Sequence, residues 1–130
     1  MILVLDDNID DLELIKHHFK KHGIDNVKLF DNPDLFLKEI DEDVITVVLD
    51  HQMGMKTGLE VMKEVIDLNP VCFIIILSGN NDPHIILKYL NNDAFRYVLK
   101  SENDYLDQVV FYVRQAQDRI NRIIEQLKNG

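Results

Sequence analysis

Acidic residues stand directly after two apolar runs: Asp6-Asp7 after Ile2-Leu3-Val4-Leu5, and Asp50 after Val44-Ile45-Thr46-Val47-Val48-Leu49. Ser78 follows a third run, Phe73-Ile74-Ile75-Ile76-Leu77, and Lys100 a fourth, Arg96-Tyr97-Val98-Leu99. Open α/β sheets bind ligands just outside the carboxyl ends of their strands. If these runs are parallel neighbours, the side chains converge on one crevice. Three carboxylates, a hydroxyl and an ammonium there suit Mg2+ and a phosphoryl group.

Two ionised carboxylates about 4 Å apart repel by roughly 4 kcal/mol at an effective dielectric near 20. A fold that gathers Asp6, Asp7 and Asp50 must therefore protonate one of them or bind a cation. Mg2+ fits oxygen-only ligands, keeps several waters and shares them with phosphate. The main-chain carbonyl of Gln52 is the expected further protein ligand. Aspartyl phosphates are established enzyme intermediates, and Asp50, the only acid at the end of the central apolar run, is the expected nucleophile. Transfer asks mainly for positioning and for charge stabilisation on the equatorial oxygens. The metal would take one oxygen, Lys100 a second, and the Ser78 hydroxyl with nearby backbone N–H groups a third. The new group carries about −1.5 to −2 charge. It would draw Ser78 inward and vacate space into which Tyr97 could turn.

Five strand-like runs must position these groups: residues 2–5, 27–30, 44–49, 72–77 and 97–99. The third and fourth are continuously apolar, as central strands covered on both faces should be. Helical patterns fall between them. Leu12, Ile15 and Phe19 share a face that Gly23 terminates, Asn32-Pro33 opens a helix over 34–40, Leu59, Met62, Val65 and Ile66 form a third stripe ending near Asn69-Pro70, and Asp82-Pro83 opens a fourth to about Leu90. Five such units imply an α/β fold, a five-stranded doubly wound parallel sheet in the flavodoxin-like order 2-1-3-4-5. That order sets the ends of strands one and three side by side at the topological switch point.

The last segment differs. Leu106, Val109, Val113, Ala116, Ile120, Ile123 and Leu127 follow steps of three and four, a sustained heptad pattern. Covering one face of the sheet takes about 22 Å of helix, and a helix over about 104–127 is longer than that. Its distal part is expected to project beyond the sheet, with Ile120, Ile123, Ile124 and Leu127 covered by a second copy or a downstream domain.

The 130 residues fit one domain spanning 1–130, and the 46% apolar content fits a globular chain. With 14 basic against 23 acidic residues the net charge is −9, which argues against direct nucleic-acid binding. The longest apolar run, residues 71–77, falls far short of the roughly 20 needed to cross a bilayer. No secretory leader is expected before a first strand at Ile2, and a lone Cys72 in an apolar run reads as a buried thiol in a reducing cytosol. A cytoplasmic protein without membrane contact is expected. His17, His18, His22, His51 and His84 read as scattered surface residues without metal-ligand spacing, His51 abutting the site.

The chain resembles the receiver domains of two-component response regulators, whose fold is shared with the single-domain chemotaxis regulators. Four motifs carry the resemblance, from Ile2 to about Ala116: Leu3-Val4-Leu5-Asp6-Asp7-Asn8; Val48-Leu49-Asp50 with Met53 and Gly58-Leu59-Glu60; Leu77-Ser78-Gly79; and Ala94-Phe95-Arg96-Tyr97-Val98-Leu99-Lys100. The resemblance implies that Asp50 accepts a phosphoryl group from a sensor histidine kinase or phosphotransfer protein. It implies Mg2+ on Asp6, Asp7, Asp50 and the Gln52 carbonyl, and a relay through Ser78 and Tyr97 to the surface around the fourth helix, fifth strand and fifth helix. A receiver of this kind is a signalling protein, its own chemistry limited to self-phosphorylation and slow autodephosphorylation.

Three departures stand out. Gly54 replaces a common proline; Ser101 replaces the proline that usually follows the lysine; Gln52 and Asn80 occupy positions that influence acyl-phosphate lifetime. A cis peptide before a non-proline residue costs about 2.5–4 kcal/mol, which counts against one at Lys100-Ser101 and bears on the reach of Lys100. Other classes fit less well. A haloacid-dehalogenase-like phosphatase needs a second aspartate where Gln52 stands, and a flavin phosphate would meet Asp6, Asp7, Asp10 and Asp11 without a metal. The remaining alternative is a phosphorylation-independent dimerisation or interaction module with a vestigial pocket.

Overall fold

In the computed structural model, which describes residues 1–54 and 56–129 apart from the side chain of Met53, strands and helices alternate. The order is β1 (Ile2–Leu5), α1 (Ile9–Lys21), β2 (Val27–Phe30), α2 (Pro33–Lys38), β3 (Thr46–Leu49), the two-residue β4 (Gln52–Met53) and β5 (Lys56–Thr57), α3 (Gly58–Leu68), β6 (Phe73–Ser78), α4 (Pro83–Asn91), β7 (Arg96–Leu99) and α5 (Tyr105–Asn129). Five strands pair in parallel as β2-β1-β3-β6-β7, the 2-1-3-4-5 order once β4 and β5 are set apart. Those two form a small antiparallel pair in the loop after Asp50.

Helices cover both faces, and side-chain alternation along the strands divides the core in two. Leu3, Leu5, Val47, Leu49, Ile74 and Ile76 meet Phe36 of α2 and Val61, Met62 and Val65 of α3. Val4, Val48, Ile75, Leu77 and Val98 meet Leu12, Ile15 and Phe19 of α1 and Val109, Val110 and Val113 of α5. Central β3 is buried at every position, which is why its sequence reads as apolar without alternation.

Helix starts follow local chemistry. Asn8, Asn32, Thr57 and Asp82 each cap a helix by accepting from a backbone N–H of its first turn. After α1 the chain turns through Gly23 at φ 74, a left-handed conformation that a Cβ would disfavour. Strand β3 starts two residues later than the apolar run suggests, since Val44 and Ile45 lie before its first pair with β1. Cys72 is half-buried rather than buried, and burial pushes its thiol up to about 12.

Helix α5 is long, at 25 residues or about 37 Å. Val109, Val110, Val113 and Ala116 are buried against the sheet, whereas residues 121–129 are exposed throughout. No helix among the described residues is long and apolar enough to cross a membrane.

Candidate functional site

The strand register brings the predicted residues together at one edge of the sheet. Leu5 is level with Leu49, and Leu49 with Ile76, so Asp6 and Asp50 leave adjacent strands at the same height. The Asp6 amide donates to Phe30 O at 3.1 Å and the Asp50 amide to Leu5 O at 3.1 Å, extending the ladder to the site itself. The Lys100 amide donates to Ser78 O at 2.9 Å. A cleft of about 640 Å³ opens there, lined by Asp7, Asp50, Gln52, Ser78 and Lys100 together with Asn8, Asp11, Gly54, Gly79 and Asn80. Asp6 lies beneath it, buried. Tyr97 does not line it.

Asp6, Asp7 and Asp50 each offer a carboxylate oxygen within 4.8 Å of the others. Asp50 Oδ1 accepts from the His51 amide at 2.7 Å, and Oδ2 lies 3.7 Å from Lys100 Nζ. Burial lifts the Asp50 carboxyl from 3.8 to about 6, with the attraction of Lys100 working against that and the Asp6 charge reinforcing it. Three carboxylates this close, with Lys100 as their cationic neighbour, repel one another unless a cation joins them. All the cluster's donors are oxygen, and Gln52 and Asn8 also line the cleft. The residues therefore fit Mg2+.

Lys100 bridges more acids than expected. Its ammonium donates to Asp6 Oδ2 at 2.8 Å and to Asp11 Oδ2 at 2.7 Å. Burial disfavours the charge, but the bonds to Asp11 and Asp6 outweigh it and hold the group above the ordinary lysine range. The Lys100-Ser101 peptide is trans, and the ammonium reaches the pocket from it.

Ser78 is buried, and its Oγ accepts from the Asn80 amide at 3.1 Å, closing the turn after β6. The Tyr97 hydroxyl donates to the Asn80 carbonyl at 2.7 Å, so the ring is half-buried beside this turn, with burial raising the phenol. It packs on Tyr89 of α4 at 5.8 Å between ring centroids. Tyr89 is itself 1% exposed, and its hydroxyl is hydrogen-bonded to His51 Nδ1. His51 is thus half-buried and engaged, and burial lowers its pKa. Gly58 lies against the same group. A Cβ there would overlap the Asp50 carbonyl oxygen and stand 2.7 Å from the Tyr89 hydroxyl.

The architecture and this constellation agree with comparisons to known proteins. A family model described as the response regulator receiver domain matches residues 2–110. The chain belongs to that family. Among solved structures, the receiver domain is similar to the BeF3-activated DrrB receiver domain, with 25% identity and a TM-score of 0.79 over 90% of this chain and 96% of that one. It matches a receiver domain from Clostridium thermocellum at 23% identity and a TM-score of 0.83, covering 94% and 97% of the two chains. The OmpR/PhoB homologue DrrB of Thermotoga maritima aligns at 24% identity and 0.77, but this chain spans only 52% of that one, against 91% of its own length. No curated protein matches the sequence. Receiver domains are signalling modules of two-component systems, and they interact with histidine kinases or phosphotransfer proteins.

Asp11, Tyr89 and the His51–Tyr89 hydrogen bond were not singled out by sequence. Asp11 was visible as a fourth acid near the first strand end. Its contact with a lysine 89 positions away depends on where α1 starts relative to β7.

Proposed function

We propose that this receiver domain accepts a phosphoryl group on Asp50 from a phosphohistidine donor, with Mg2+, and that the modified site switches a protein-interaction surface. The observation that carries this is the convergence, in one open cleft, of a partly exposed Asp50 with two further carboxylates, Lys100 at 3.7 Å and Ser78. Mg2+ held by Asp6, Asp7, Asp50 and the Gln52 carbonyl would neutralise the carboxylates and the incoming phosphoryl oxygens.

The chain's own groups do the rest. Asp50 Oδ2, the oxygen not bonded to the His51 amide, attacks phosphorus; the P–N bond to the donor imidazole breaks, and its electron pair returns to the imidazole. Lys100 turns from Asp11 towards an oxygen of the new group. The Ser78 hydroxyl then exchanges its bond from the Asn80 amide for a phosphoryl oxygen. That movement alters the turn whose Asn80 carbonyl Tyr97 holds, so α4, β7 and α5 receive the signal. Ser78 and Tyr97 are thereby the relay, and slow hydrolysis of the acyl phosphate resets it. No further catalytic activity is part of this proposal, whose setting is the cytoplasm; the net charge of −9 argues against nucleic-acid contact.

Output runs through protein contacts. The distal part of α5, with Ile123, Ile124 and Leu127 exposed, projects beyond the sheet as the face for a second copy or the junction to a downstream domain. The decisive experiment is intact mass after incubation with a small acyl-phosphate donor, with and without Mg2+, on wild type and Asp50→Asn. An adduct needing both Mg2+ and Asp50 is expected, and beryllofluoride should occupy the same site. Light scattering on the full chain and on a chain ending at Gln117 tests α5. A dimer indifferent to phosphodonor and to Asp50→Asn, with no adduct from any donor or kinase, would favour the phosphorylation-independent module.

A further inference from the structure

His18 and His22 stand four residues apart at the end of α1, so both imidazoles leave one face of the helix. Two histidines at that spacing on a helix form a recurring metal-binding pair, which corrects the impression of scattered surface histidines. Helix α5 crosses the same face and brings Asp107. Its Oδ1 lies 2.8 Å from His18 Nε2 and 3.8 Å from His22 Nε2. One ligand atom from each residue lies within 4.8 Å of the others. A tetrahedral ion with arms of about 2.0–2.1 Å needs ligand atoms about 3.3 Å apart. The two measured separations bracket that value.

We propose that His18, His22 and Asp107 bind one divalent transition-metal ion of the Zn2+ class, clamping α1 to α5 at a site separate from the acidic cleft. Two imidazoles and a carboxylate suit Zn2+ and its neighbours, whereas Mg2+ takes oxygen ligands. The surrounding charge is favourable. His18 is in the last turn of α1 and His22 caps it, where the helix dipole places partial negative charge. The nearby cation, Arg114, donates through Nη2 to the His22 carbonyl at 2.7 Å, so it is held on the backbone. The side chains of His18, His22 and Asp107 are 16%, 32% and 65% exposed, giving an entry path and room for water at the fourth position. A metal-free hydrogen-bonded pin between the helices needs only His18 and Asp107. The second imidazole, turned towards the same oxygen from 3.8 Å, is what such a pin leaves unexplained.

Zn2+ is titrated calorimetrically into the full chain with Mg2+ in excess, so that the acidic cleft is filled, and Co2+ absorption reports the ligand field. One ion per chain is expected. Loss of an outer-shell partner alone costs about 10–100-fold in affinity, so His18→Gln/His22→Gln should weaken Zn2+ by at least about 100-fold. Asp107→Asn, which keeps a hydrogen-bonding oxygen towards His18, should weaken it at least about tenfold and retain the fold if the double variant does not. Asp7→Asn should leave the affinity unchanged. Zn2+ should raise the Tm of wild type and not that of the variants. No binding by wild type, or binding that survives both sets of substitutions, overturns the proposal.

Discussion

Replacing the acceptor by its neutral isostere, Asp50→Asn, should stabilise the metal-free protein at neutral pH. Burial, opposed by Lys100 and reinforced by Asp6 and Asp7, lifts the Asp50 carboxyl from 3.8 to about 6. Between those values the folded chain binds more protons than the unfolded one, so stability falls as pH rises through the window. The gap of about 2 pH units at about 1.4 kcal/mol each leaves the ionised side chain costing about 3 kcal/mol by pH 7. The side chain is only 13% exposed, so solvent screens little of this. Asparagine has the same shape and no charge to desolvate. For a domain of this size the difference corresponds to a Tm rise of about 10 °C. Urea unfolding in chelator at pH 7 and pH 4 measures it. At pH 4 wild-type Asp50 is protonated in the folded state and the advantage should drop below about 1 kcal/mol. Excess Mg2+ should close the gap at pH 7 by stabilising wild type alone. A variant no more stable than wild type at pH 7, or an advantage undiminished at pH 4, would refute the account of Asp50 as a destabilised acid.

Other perturbations follow from the same geometry. Asp11→Asn loosens the grip on Lys100 and should speed phosphorylation by a small acyl phosphate about fivefold, equivalent to about 1 kcal/mol; an unchanged or slower rate in saturating Mg2+ would show that the Asp11 contact does not restrain the lysine. Lys100→Met removes the attraction that lowers the Asp50 pKa, so its carboxyl carbon resonance should titrate above about 6 in metal-free protein. Gly58→Ala forces a methyl group onto the Asp50 carbonyl and the Tyr89 hydroxyl and should cost about 1–3 kcal/mol, seen as a lower urea midpoint at unchanged slope.

The sheet and most of the site were legible because each rests on a short-range pattern. Strand β3 announces its burial by three consecutive apolar residues, Val47-Val48-Leu49, and parallel pairing in the switch-point order then places whatever follows Leu5 and Leu49 side by side. Asp6, Asp7 and Asp50 could be grouped from that alone. What escaped depends on helix placement. Asp11 meets Lys100 because α1 starts beside the end of β7, and Tyr89 reaches His51 because α4 packs close to Gly58. The β4–β5 pair is too short to leave any periodicity. The four-residue spacing of His18 and His22 is in the sequence, where both read as scattered surface histidines, and Asp107, 89 residues from His18, is supplied only by the packing of α5 on α1.

Helix α5 consists of two stretches with different thermodynamics. Up to Ala116 one face, carrying Val109, Val110, Val113 and Ala116, is locked into the core, and the amides of those residues should exchange with solvent only on global unfolding. Residues 121–129 are exposed on every side and are held by their own backbone bonds and contacts such as Gln117 to Asn121 at 3.0 Å. An isolated helix shorter than about 12–15 residues is marginal in water because nucleation is costly. Here the anchored turns supply the nucleus, so the distal turns propagate from a fixed end and fray from the free one. Their amides should lose protection progressively towards Asn129. A molecule that covers this stretch meets a helix already started, and the order it adds would register as protection confined to those last turns.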